Sequence, residues 1–114
     1  MLLSWKRRKE RGGYVYILSN DYNTALYIGM SSNLLARSEE HRNNVYPNSF
    51  TSRYPCYKLV YFEAVHSIEE AIGREKQLKK KSRSSKDKLI QGMNDSWKDL
   101  SEYIEQSVYA VLLN

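Results

Sequence analysis

Five residues along this chain have types and spacings that could serve one reaction centre: Tyr16 and Tyr27, Arg37 and His41, and Glu75. Phenol and imidazole groups give and take protons, a guanidinium offers a planar fork that fits a phosphate, and a carboxylate binds hard cations. Lys76, Lys79, Lys80 and Lys81 follow the glutamate closely. Such a set suits chemistry on a polyanion. Singly, each member has an ordinary explanation: tyrosines on a sheet pack, arginines on helices solvate, and a lysine run is a wet helix face. Cys56 has no internal partner for a disulfide. With His41 and His66 it is a poor inventory for a zinc cage, so Cys56 and His66 read as structural and any metal would take oxygen ligands.

The elements that must position these groups can be read from the pattern. Residues 14–19 and 25–30 are β-rich runs separated by turn formers at 20–24, which predicts a hairpin. Val15 and Ile17 share one face, as do Leu26, Ile28 and Met30, so Tyr16 and Tyr27 fall together on the other, and the simplest register makes them opposite neighbours. Ser32 or Asn33 caps a helix from Leu34 to about Asn44, before Pro47, and on it Arg37 and His41 are i, i+4 neighbours. Residues 48–56 read as a loop and 57–65 as a third strand. Ser67 and Glu70 form a capping-box pattern ahead of a stripe of Ile68, Ala71, Ile72 and Leu78. Glu75 falls inside that stripe, which aims its carboxylate at the body of the protein or its edge, where it needs a cation or hydrogen-bond donors. Residues 82–93 predict a further helix and 97–106 a short last one.

A chain of 114 residues, 41% hydrophobic and 27% charged, suits one compact folded domain and excludes a multi-domain machine. No stretch approaches the roughly 18 apolar residues of a membrane span, and Met1 to Trp5 is too short for a signal-peptide core, so the expected address is the cytoplasm, without a membrane or a disulfide-linked partner. The net charge is +5 and unevenly placed: Lys6 to Arg11 holds five basic residues against one acidic, and Arg74 to Lys88 eight against two, leaving the rest of the chain net negative. That concentration favours a polyanion partner.

Tyr14-Val15-Tyr16 and Tyr27-Ile28-Gly29, with Arg37 eight residues after Gly29 and His41 beyond it, resemble the GIY-YIG nuclease superfamily in residue type and spacing. The segment Ala71 to Lys80 resembles the glutamate-bearing helix of its short bacterial single-domain members, those like the N-terminal domain of UvrC. Asn94, Trp97, Asp99 and Leu100 resemble their closing pattern, with Asp95 in place of the usual proline. Lys81 stands where tryptophan is common, and Tyr14 replaces the glycine of the family name. The resemblance implies an α+β fold, a small three-stranded, mainly antiparallel sheet flanked by helices. It implies a nuclease domain over 14–106, with 1–13 as a flexible basic arm and 107–114 as a tail. It also implies a metal-dependent endonuclease acting on nucleic acid, DNA foremost, in a setting such as repair or recombination.

Carried over by position, Glu75 would hold one Mg²⁺ or Mn²⁺. Tyr16 would act as general base or orient the attacking water, although a phenol of pKa about 10 needs positive charge nearby to do so. Arg37 would bind the scissile phosphate, Tyr27 would hydrogen-bond near it, and His41 would relay a proton or hold Tyr16. Gly29 would leave room for the phosphate above Tyr16. Asn33, Lys76, Lys79, Lys80 and Asn94 would contact the substrate without reading bases. Two other readings use the same scaffold: a catalytically weak or inactive nucleic-acid-binding module, and an interaction protein whose basic arms meet an acidic partner.

Overall fold

The computed structural model describes residues 12–42 and 55–104. The elements are β1 (Gly13–Ser19), β2 (Leu26–Ser31), α1 (Leu34–Arg42), β3 (Lys58–Val65), α2 (Ile68–Lys80) and α3 (Arg83–Met93). The three strands form one antiparallel sheet in the order β2-β1-β3, the α+β arrangement expected.

Alternation along β1 divides the core in two. Val15 and Ile17 point to one face, where they meet Ile28, Val60 and Tyr61 of the other strands, Ala71 and Leu78 of α2, and Ile90 of α3. Leu78 and Ile90 are fully buried, each worth about 1.5–3 kcal/mol of apolar burial. At Gly13 a methyl group would come within 3.0 Å of the Ala71 side chain, which shows how closely α2 approaches the start of β1. Tyr16 and Leu18 point to the opposite face and pack with Leu34 of α1, Cys56 and Leu59, and Tyr14, Tyr27, Phe62, Leu100 and Ile104 border that cluster.

A shift in register between β1 and β3 lets both faces close. Ile17 is opposite Tyr61 and Leu18 is opposite Leu59, so Val60 is an extra residue on β3. Val60 and Tyr61 consequently bury on the same face. The backbone groups at this irregularity are satisfied from the far end of the chain: Asn94 donates from Nδ2 to the Val60 carbonyl at 3.1 Å, the Leu59 N–H donates to Asp99 Oδ1 at 3.2 Å, and the Leu100 N–H donates to the Leu59 carbonyl at 2.7 Å. Segment 94–100 therefore covers the outer edge of β3.

The helix ends follow the sequence signals. Asn33 caps α1, its Oδ1 accepting from the Ala36 N–H at 3.2 Å. Ser67 caps α2 through the Glu70 N–H, and Ser82 caps α3 through the Ser85 N–H, each at 3.1 Å. Two expectations fail. Ile72 is exposed rather than in the buried stripe of α2. The last helical turn begins at Ser101, not at 97, because Trp97 takes a left-handed backbone (φ 57°) where the Asn94 amide holds both the Lys98 N–H and the Lys98 carbonyl. The expected continuation of α1 to Asn44, the 48–54 part of the loop and the segments 1–11 and 105–114 lie outside the described residues.

Candidate active site

Tyr16 and Tyr27 share a face as expected, but they are not opposite one another. Tyr16 is opposite Gly29 and Tyr27 is opposite Leu18, so the two phenols are diagonal neighbours. The Tyr16 ring lies across Gly29, where a methyl group would sit 2.5 Å from the hydroxyl oxygen and 2.7 Å from Cζ. Gly29 thus makes room for Tyr16 itself, a correction to the expectation that its open space serves a phosphate. Tyr16 is 2% exposed, buried among Leu18, Leu34 and Leu59, while Tyr14 and Tyr27 keep more of their surface.

Only two residues separate β2 from α1, which brings Arg37 to the rim of this tyrosine face. Leu34 and Ser38 turn inward, Ser38 Oγ lying 2.8 Å from Ser101 Oγ, and Arg37 is half-exposed with Nη1 3.5 Å from Glu40 Oε1. His41 falls in the last turn of α1; its side chain lies outside the described residues.

Glu75 approaches from the other side of the sheet. Its helix packs on the Val15 and Ile17 face, chiefly over β1 and β2. At about 100° per residue, Arg74 and Glu75 fall on opposite flanks of the buried line from Ala71 to Leu78. Arg74 reaches β3, donating from Nε and Nη2 to the two oxygens of Glu63 at 2.9 Å each. The flank of Glu75 is therefore the one toward β2, the outer strand that carries Tyr27 and Gly29. Lys79 shares that flank, whereas Lys76 and Lys80 point away from the sheet. The Glu75 side chain is 22% exposed, and its ion pair is a long one, Oε2 to Lys79 Nζ at 3.8 Å. A half-buried carboxylate with so loose a partner suits a cation. Among the described residues no three His, Cys, Asp or Glu side chains gather into a metal cage.

The remaining candidates have structural engagements. Asn94 is buried, and its amide bonds Val60, Lys98 N–H and Lys98 carbonyl, which accounts for its presence without a substrate. Asn33 Oδ1 is the cap of α1. Cys56 is fully buried, its Sγ 3.6 Å from the Ala25 carbonyl, and burial pushes its thiol up to about 11, so it is inert at neutral pH. His66 is exposed at the junction of β3 and α2.

Sequence reasoning missed the triad behind Glu75. Tyr61 donates its hydroxyl to Glu63, which also takes the Arg74 fork. Hydrogen bonds from Arg74 hold the Glu63 carboxyl below its ordinary value, and burial first, then Glu63, pushes the Tyr61 phenol up to about 12. The signal was available: Tyr61, Glu63 and Val65 alternate onto one strand face, and a carboxylate there requires a cation.

A sheet with two signature tyrosines on one face, a glycine under the first, an arginine at the head of the next helix and a glutamate on the helix beyond β3 defines a class of nuclease domain. Residues 12–89 match the GIY-YIG catalytic domain model, and the chain belongs to the GIY-YIG family. Its curated relatives are short bacterial proteins. It is 40% identical over 77 residues to a UPF0213 protein of Syntrophus aciditrophicus, covering 68% of this chain and 87% of that one. It is 37% identical over 79 residues to a UPF0213 protein of Pediococcus pentosaceus, covering 69% and 81%. A solution NMR structure of a UPF0213 protein from Bacillus halodurans aligns with a TM-score of 0.48 at 27% identity, over 77% of this chain and 92% of that one. No helix among the described residues is long and apolar enough to cross a membrane.

Proposed function

We propose that the protein is a divalent-cation-dependent endonuclease that hydrolyses phosphodiester bonds of nucleic acid, DNA foremost, in the cytoplasm. The domain doing so is taken as 14–106, with 1–13 as a basic arm and 107–114 as a tail. One observation carries the reading: the Tyr16 hydroxyl lies over Gly29 of β2, on the face it shares with Tyr27 and with Arg37 of α1 at its rim, while α2, packed on the opposite face, turns Glu75 toward that same outer strand. Hydrolysis needs an activated water, relief of charge on the phosphate in the transition state, and help for the departing oxygen. Tyr16 orients the water and takes its proton, aided by Tyr27 and, on the family pattern, by His41. Arg37 donates to a phosphate oxygen, where its fork is strongest as charge builds. Glu75 would hold Mg²⁺ or Mn²⁺, which supplies charge neutralisation at the phosphate when bound. Lys79 on the same flank, with Lys76 and Lys80 further out, binds neighbouring phosphates without reading sequence.

The test is nicking of supercoiled plasmid with and without Mg²⁺ or Mn²⁺, beside Glu75→Ala and Arg37→Ala. Metal-dependent nicking that both changes abolish is the expected result. Nicking indifferent to both would come from a contaminant, and salt-sensitive binding with no cleavage of any substrate would make the protein a binding module on a nuclease scaffold.

A further inference from the structure

The hairpin turn between β1 and β2 is braced far beyond what joining two strands requires. Asn20 accepts from the Thr24 and Ala25 N–H groups at 2.8 and 3.0 Å and donates to Thr24 Oγ1 at 2.7 Å. Asn23 takes the left-handed conformation (φ 57°) and accepts from Lys58 Nζ at 2.7 Å and Ser19 Oγ at 3.2 Å. The Tyr57 hydroxyl bonds the Asp21 carboxylate at 2.7 Å, and Arg83, from the head of α3, donates to the Asn23 and Thr24 carbonyls. In the middle of this turn stands Tyr22, 84% exposed, the most exposed of the large hydrophobic side chains among the described residues. Burial does not explain it, and the bracing fixes the backbone on which it stands.

Its surroundings carry both signs, with the Asp21 carboxylate next to it in the turn and cations beyond. Arg83 and Lys58 touch the turn directly, and exposed Lys81 lies two residues before Arg83 at the end of α2. A rigidly mounted, exposed aromatic ring suits a nucleobase whose flanking phosphate meets Lys81. A duplex hides its base faces in the stack, so the base must come from a single-stranded segment or an unpaired position. We propose that Tyr22 is a stacking site for an unpaired base, and that the preferred substrate therefore carries single-stranded nucleic acid beside the cleavage site. The turn adjoins the strand end that carries Tyr27, which places the site within reach of the same strand of nucleic acid. The inference rests on the nuclease reading and narrows its substrate class.

The test uses the full chain in EDTA, with fluorescence anisotropy of a labelled mixed-sequence single-stranded 12-mer and of the matching blunt duplex at one fixed salt concentration. Tyr22→Ala is expected to weaken single-strand binding about tenfold, within the range for one base on one aromatic, and to change duplex binding less than twofold. Tyr22→Phe and Tyr22→Trp keep the wild-type affinity, and all three variants keep the melting temperature. Equal loss on both probes, no loss on either, or no binding of the single strand by the wild type overturns the proposal. Plasmid nicking in Mg²⁺ separates the two readings. Nicking by the wild type with Tyr22→Ala binding unchanged removes the stacking site alone, and Tyr22-dependent binding without nicking removes the nuclease alone.

Discussion

Adding one carbon at position 29 would place it 2.5 Å from the Tyr16 hydroxyl, far inside contact distance, and the Tyr16 ring is packed too tightly to yield. Gly29→Ala is therefore expected to cost about 1–3 kcal/mol by overpacking and to push the phenol off β2. Urea melts check the first effect, and plasmid nicking, which should fall below detection, checks the second. Arg37→Lys asks a different question. It keeps the charge and loses the fork, so nicking is expected to fall about a hundredfold, roughly 3 kcal/mol, while nucleic-acid binding measured in EDTA changes little. Both residues were legible from type and spacing. The occupant of the space over Gly29 was not, because strand alternation repeats every second residue: Tyr16 opposite Tyr27 and Tyr16 opposite Gly29 satisfy the same apolar pattern, which leaves the choice to the turn and to the fit of the ring over Gly29.

Helix α2 is positioned by more than its apolar stripe. Arg74 and Glu63 tie one flank of it to β3, and Tyr61 completes the tie. The Glu63 carboxyl is held low, so its contribution to stability is present above the ordinary carboxylate range and is lost as pH falls through the lowered folded value. The Tyr61 phenol is raised from 10.0 to about 12, so its contribution is present below pH 10 and is lost as pH rises toward 12, a loss of about 2–3 kcal/mol in all. Urea melts across pH 3–11 should show a plateau that falls at both ends. Glu63→Gln should lower the plateau by about 2 kcal/mol and flatten the acid limb. The same change should reduce nicking more than Lys80→Ala does, since it loosens the rotation that aims Glu75 at β2. At this scale the cap Ser67 was legible because its hydroxyl acts on a neighbour three residues away. The start of the last helical turn was not, because Asn94 and Asp99 answer to Val60 and Leu59 across the fold rather than to their own neighbours.

Over the whole molecule, the basic segment from Arg74 to Lys88 divides into two kinds of charge. Arg74 is bonded to Glu63, and Arg83 to Asp87 and the hairpin carbonyls, so both hold the fold together. Lys76, Lys79, Lys80, Lys81 and Lys88 are exposed, and Lys86 lies between the two kinds, half-buried. Composition counts all of these alike, which is why a polyanion partner was legible while the residues meeting it were not. The distinction can be measured. Each cation that neutralises a phosphate releases counterions and contributes about 0.9 to the slope of log affinity against log salt on duplex DNA. Replacing Lys76 and Lys79 together by alanine is expected to lower that slope by about 2 and to leave the urea midpoint within error, as surface substitutions usually do. Arg83→Ala should do the reverse, lowering stability through the loosened hairpin while changing the slope by much less than one unit. A slope that drops equally for both variants would mean that Arg83 leaves the turn to meet the backbone, and the rigid mounting of Tyr22 would then not survive binding.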